Sequence, residues 1–229
     1  MISNTKENME YFLEAGPIKT DKLTVRSFKV YADGALGSRG AALKNPYTDL
    51  NSHYGKFITS KDSIEKLAYK LATTPFQMNT HAIGDDANKA VLNAYRKALV
   101  FSDDPRWRIE HAQIIDTADI QLFNRKIIPS VQPTHATSDM YWAEDRLGSE
   151  RLQGAYAYKA LLNQSGRITL GTDFPVEEVS PIKTFYAAVT RMDSDLFPEG
   201  GYLSQNKLSR IQALKGMTIW GAYANFEEN

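Results

Sequence analysis

Phe76-Gln-Met-Asn-Thr-His81, then Asp85 with the apolar series Ala87, Ala90, Val91, Ala94 and Ala98, then Trp107-Arg-Ile-Glu-His111, is the stretch that decides the fold. The outer pieces are short runs bounded by turn residues, and the middle has helical spacing. Together they read as one strand, helix, strand unit. The pattern repeats outward. Upstream, Thr24 to Tyr31 reads as a strand, and a loop with Asp33, Gly34, Gly37 and Gly40 leads into an irregular segment to Thr59. Ser60 can then cap a helix striped by Ile64, Leu67, Ala68 and Leu71. Downstream, Ile127 to Gln132 and Arg167 to Thr172 read as strands around a long excursion from Tyr141 to Asn163. A helix from Pro181 to Arg191, a loop to Asn206 and a helical C-terminus complete five βα units. Alternation of this kind predicts an α/β fold with a parallel sheet.

The composition narrows the function classes. The 229 residues are 42% hydrophobic and 24% charged, ordinary values for a globular chain and compatible with one domain. Lysine and arginine number 27, as do aspartate and glutamate, and no basic run is present, so nucleic acid and an anionic membrane surface are poor partners. The chain has no cysteine, which removes thiol catalysis, disulfides and thiolate metal sites. Met1 to Thr20 is polar, with neither a signal-peptide core nor a spanning stretch of roughly 20 apolar residues. A cytoplasmic location is the expectation for the chain as it stands, with export of a longer parent left open.

Strand parity tests where the polar groups point. Gln77, Asn79 and His81 share one face of their strand, and Phe76, Met78 and Thr80 the other; Thr169, Gly171 and Asp173 share a face of the last strand. Lys29 lies with Val25, Ser27 and Tyr31, which leaves Phe28 and Val30 for the helices. The third strand is less tidy, because Arg108 and Glu110 fall opposite His111 and their partners cannot be assigned from sequence. Lys29, His81, His111 and Asp173 each sit at or just beyond the C-terminal end of a predicted strand. Active sites of α/β barrels are built at that end, and two imidazoles, a carboxylate and a lysine suit a borderline divalent ion such as zinc. Such an ion lowers the pKa of its water to about 7, and Asp173 would be the catalytic group that takes the proton.

The segments Lys29-Val-Tyr-Ala-Asp-Gly-Ala-Leu-Gly-Ser-Arg39, Thr80-His-Ala-Ile-Gly-Asp85, Arg108-Ile-Glu-His-Ala-Gln113, Gln132-Pro-Thr-His135 and Gly171-Thr-Asp-Phe-Pro-Val176 resemble the YtcJ-like branch of the amidohydrolase superfamily, collinearly from about Lys22 to Phe226. The resemblance implies a TIM-type (β/α)8 barrel with a small β-sandwich, and relatives that include N-substituted formamide deformylases. It implies His81 and His111 as the metal ligands that end strands five and six, and Asp173 as the strand-eight aspartate that binds metal and shuttles the proton. Lys29 resembles the strand-four lysine that is carboxylated and bridges two metals in some members. One or two ions remain open, as does a salt-bridged or snorkelling role for Lys29, or a Schiff-base role in a different barrel enzyme.

One departure from the pattern matters. The family's His-x-His pair is missing, since the four histidines are His53, His81, His111 and His135. The expectation is a partial barrel, roughly strands four to eight, forming one incomplete domain over residues 1–229. Such a fragment would be inactive on its own toward a small amide, formamide or other non-peptide C–N substrate. The alternative is a truncated, non-catalytic product or assembly module that forms homo-oligomers through open sheet edges. His135 would bind substrate or anchor its loop, and Arg39 would hold a substrate carboxylate or brace a loop. Asp85 reads as a helix cap, His53 as a loop residue, and the glycines at 34, 37 and 40 as turn formers without the spacing of a P-loop.

Overall fold

The computed structural model describes residues 1–228. The chain opens with strand β1 (Ile2–Ser3) and helix α1 (Lys6–Ala15), passes through a ribbon of β2 (Ile18–Lys19) and β3 (Thr24–Val25), and continues with β4 (Ser27–Tyr31), α2 (Lys61–Ala72), β5 (Gln77–Ala82), α3 (Asp85–Ala98), β6 (Trp107–His111) and β7 (Ile127–Val131). Helices α4 (Pro133–Asp139), α5 (Ala143–Arg151) and α6 (Tyr158–Ser165) precede β8 (Thr169–Leu170), and α7 (Pro181–Thr190), α8 (Arg210–Met217) and α9 (Ile219–Ala224) follow it. The main sheet has six strands in the order β1-β4-β5-β6-β7-β8, every neighbour parallel. This is the parallel α/β sheet expected from the alternating pattern, and it fits the partial barrel that the family resemblance implied, with β1 and β8 as its edges. No helix among the described residues is long and apolar enough to cross a membrane.

Three boundaries differ from the sequence reading, each for a physical reason. The run from Thr24 to Tyr31 is broken at Arg26, and Thr24–Val25 pair antiparallel with Ile18–Lys19 instead of joining the main sheet. Strand propensity identifies extended backbone but not the partner it finds. The polar N-terminus, to which the sequence reading assigned no strand, adds a sixth strand whose Ile2 and Ser3 register with Phe28 and Lys29. Helix α1 follows because the Thr5 hydroxyl caps Asn8 N and Gly16 ends the helix at φ 79. A two-residue strand carries no detectable period. The last strand, expected from Arg167 to Thr172, ladders only at Thr169 and Leu170 because β7 is its one neighbour.

The two faces of the sheet are built differently. Phe28, Val30, Met78, Thr80 and Ile109 are fully buried, as are Ile64, Ala68 and Leu71 of α2 and Val91, Leu92 and Tyr95 of α3. Each large apolar side chain sealed in this layer contributes about 1.5–3 kcal/mol. The Tyr95 hydroxyl, 2.7 Å from both the Met78 carbonyl and Thr80 Oγ1, uses the polar atoms within it. The opposite face is buried but polar, with Gln77, Asn79, Arg108 and Glu110. Arg108 Nε donates to Glu110 Oε1 at 2.8 Å, which supplies the partner that sequence could not assign. Gln77 Nε2 donates to the Ala224 carbonyl at 2.8 Å, so the C-terminal helix closes this layer from below.

Candidate metal centre

The C-terminal ends of the strands carry the chemistry. Tyr31 of β4 registers with His81 of β5, and Ala82 with His111 of β6, so neighbouring strands deliver adjacent side chains. Simple alternation would send Glu110 and His111 to opposite faces. His111 and Ala112 escape it by adopting φ 74 and 41, which swings the imidazole to within 4.5 Å of the His81 ring, centroid to centroid. Asp173 also sits at φ 59. Left-handed backbone at a non-glycine residue costs roughly 1–2 kcal/mol, and strain of this kind gathers at functional sites.

Ligand atoms of His111, His135 and Asp173 all lie within 4.8 Å of one another. The His111 and His135 rings stack at 6.0 Å, and His135 Nε2 is 3.6 Å from Asp173 Oδ2. Each Nδ1 faces an acceptor: His111 meets Gln132 Oε1 at 2.9 Å and His135 meets Glu177 Oε1 at 3.1 Å. A proton on Nδ1 leaves each Nε2 to the site. Among the described residues the buried Nε2 of His81 has no hydrogen-bond partner, and it lies 3.6 Å from Asp33 Oδ1. Asp33 is itself held by the backbone N–H groups of Ala42, Ile83 and Gly84 at 2.8, 3.0 and 2.8 Å.

The surroundings tune these groups apart. Burial, the neighbouring His111 and the Lys29 ammonium push His81 down to about 3, while burial and Lys29 push His111 down to about 4. Burial also opposes charge on His135, yet hydrogen bonds with Asp173 and Glu177 push its pKa up to about 9. Burial lowers the Lys29 pKa against the pull of Glu110 and Asp173. Contact with His135 keeps Asp173 below its ordinary value, so it is an ionised carboxylate at neutral pH. The neutral imidazoles of His111 and His81, the second with its Nε2 orphaned, the Asp173 carboxylate and the Nε2 of His135, where an ion would take the place of a proton, are donors a divalent ion takes, so the residues fit such an ion.

Of the residues singled out from sequence, Lys29, His81, His111, His135 and Asp173 all line one cavity of about 460 Å³, with Tyr31, Leu36 and Trp142 on its apolar side. Arg39 does not line it, because its guanidinium makes a two-pronged pair with Asp49 at 2.8 and 3.0 Å and so braces a loop. His53 Nε2 meets the Arg39 carbonyl at 2.8 Å in the same loop. Asp85 accepts the Lys44 N–H at 2.9 Å. A larger recess of about 590 Å³ near Asn45, Asp116 and Arg151 has no histidine among its lining residues; there Asp116 pairs with Lys44 and Arg151 donates to the Asn45 carbonyl. Sequence reading gave Asp33, Gln132 and Glu177 no part in the site. Their signal was slight, since each stands within or one residue beyond the quoted segments.

Comparison with known proteins identifies the family and the fold. The model of the amidohydrolase family designated Amidohydro_3 matches residues 3–229. The putative amidohydrolase YtcJ of Bacillus subtilis (strain 168) is 34% identical over 203 residues, 88% of this chain and 38% of that protein. Protein LONG AFTER FAR-RED 3 of Arabidopsis thaliana is 30% identical over 229 residues, 98% of this chain and 39% of that protein. An uncharacterized metal-dependent hydrolase from Pyrococcus furiosus superposes with TM-score 0.82 at 29% identity, covering 97% of this chain and 45% of its own. The chain thus spans about two-fifths of the length of these curated relatives. Its fold, its rim of histidines and its match over nearly every residue place the chain in the amidohydrolase family, in the YtcJ-like branch.

Proposed function

We propose that this chain carries the strand-four-to-eight portion of a metal-dependent hydrolase acting on a small amide, formamide or other non-peptide C–N bond. One observation carries the reading: ligand atoms of His111, His135 and Asp173, from three separate strand ends, converge within 4.8 Å. These three would hold a divalent ion, zinc by the donor set, with His81 and Lys29 on the adjoining wall. When bound, the ion supplies Lewis-acid polarisation of a carbonyl and a more acidic water. Asp173 is the proton acceptor, ionised at neutral pH and 39% exposed to the cavity mouth, and it returns the proton to the departing nitrogen. His135 moves from a substrate-binding or loop role into the ligand set. Tyr31, Leu36 and Trp142 form an apolar wall for the substrate.

The sequence holds no His-x-His pair, so the chain alone is proposed to bind metal weakly and to lack appreciable activity. Elemental analysis of the purified chain beside His111→Ala and His81→Ala variants tests the reading. The expected result is metal in the parent chain, lost in His111→Ala; equal content in both overturns it. A second reading, association through sheet edges, is favoured by Phe174, Val176, Val179 and Ile182 beside β8, which are 63–77% exposed. A sizing column separates the readings of assembly: a clean monomer at high concentration removes this one.

A further inference from the structure

Two adjacent glutamates follow β8 and do different things. Glu178 is exposed and pairs with Lys183 on the surface. Glu177 turns inward, with its side chain 19% exposed, and among the described residues no lysine or arginine lies within salt-bridge distance of it. One oxygen, Oε1, serves both of its partners: His135 Nδ1 at 3.1 Å and Ser138 Oγ at 2.6 Å. The glutamate, itself part of the cavity wall, thus grips the imidazole at Nδ1, and Nε2 is left 3.6 Å from Asp173. We propose that Glu177 is the positioning residue of the centre, fixing the ring and proton of His135 so that Nε2 faces the ion. This rests on the metal reading above.

The arrangement has a physical purpose. Helix α4 is only seven residues long and His135 lies in its first turn, so the backbone alone leaves the ring free to rotate. A carboxylate on Nδ1 removes that freedom and makes the opposite nitrogen a better donor, and loss of such a partner typically weakens metal binding about 10- to 100-fold. Gln132 plays the corresponding part for His111 with a neutral amide. A carboxylate in one place and an amide in the other make His135 the more basic of the two ligands.

The competing account is that Glu177 merely latches the β8 loop to α4 through Ser138. Titration of the full chain with Co²⁺, followed by its visible absorption, separates the two in Glu177→Ala, Glu177→Gln, Ser138→Ala and His135→Ala variants. The expected order of affinity is parent and Ser138→Ala alike, Glu177→Gln lower, and Glu177→Ala about 10- to 100-fold lower. The Co²⁺-shifted Nδ1 proton of His135, identified by its loss in His135→Ala, should exchange with water faster in Glu177→Ala than in the parent. Should His135→Ala weaken Co²⁺ binding while Glu177→Ala matches the parent, or should Ser138→Ala weaken it equally with Glu177→Ala, the positioning role is overturned and the metal reading stands. Unchanged binding in His135→Ala overturns that ligand assignment and this inference with it.

Discussion

The two flanks of the centre are held by different means. On the histidine side, β5 and β6 are paired on both edges, and every residue of Gln77–Ala82 and Trp107–His111 except His81 is buried. On the carboxylate side, β8 ladders at two residues and most of residues 171–183 are exposed. His81 and His111 are thus placed by a hydrogen-bonded sheet between packed layers, and Asp173 and Glu177 by a handful of side-chain contacts. The difference separates stability from chemistry. Changes on the first flank should unfold the molecule, and changes on the second should leave it folded and alter what it binds.

The sharpest way to break that contrast is Glu110→Ala, which strands the Arg108 guanidinium beneath β6. Removing one member of a buried pair costs about 3–5 kcal/mol, read as a lower midpoint in urea denaturation. Although burial opposes its ionisation, Arg108 and Lys29 hold the Glu110 carboxyl below its ordinary 4.5. Its share of stability is therefore complete above that pH and is lost as acid protonates it in the folded state, so the gap between parent and Glu110→Gln should close in acid. Next comes Asp33→Asn, in which an amide must face backbone N–H groups that now meet a carboxylate. A loss of about 1–3 kcal/mol and faster amide hydrogen exchange at Ile83 and Gly84 are expected. Tyr95→Phe removes a hydroxyl shared between Met78 and Thr80 and should cost about 1 kcal/mol by thermal unfolding. Ile182→Ser on the open flank should change stability by no more than about 0.5 kcal/mol, and an equal loss there to that of Tyr95→Phe would erase the contrast.

The legibility of the molecule in its sequence follows the same division. Strands β4 to β7 were readable because alternation and helical stripes persist for five residues or more, long enough to stand out from chance. Strand β1 was not, being two residues long and recognisable only from its partner Phe28–Lys29. His81 obeyed parity and could be placed on its face in advance. His111 did not, because a left-handed turn at a histidine and an alanine leaves no mark in residue type. His135 could not be placed by parity for a different reason: it reaches the cavity from the first turn of a helix, where strand parity says nothing. Arg39 stood in a well-marked segment, but only the spatial nearness of Asp49 shows how its charge is spent.

The turn at His111 and Ala112 leaves the molecule with an unusual vulnerability. Relaxing that pair to extended backbone would rotate the imidazole away from His81 and Asp173 without deleting a single ligand. A relative could retain every histidine in alignment and still be blind to metal. Counting conserved donors would then miss the crankshaft that aims them.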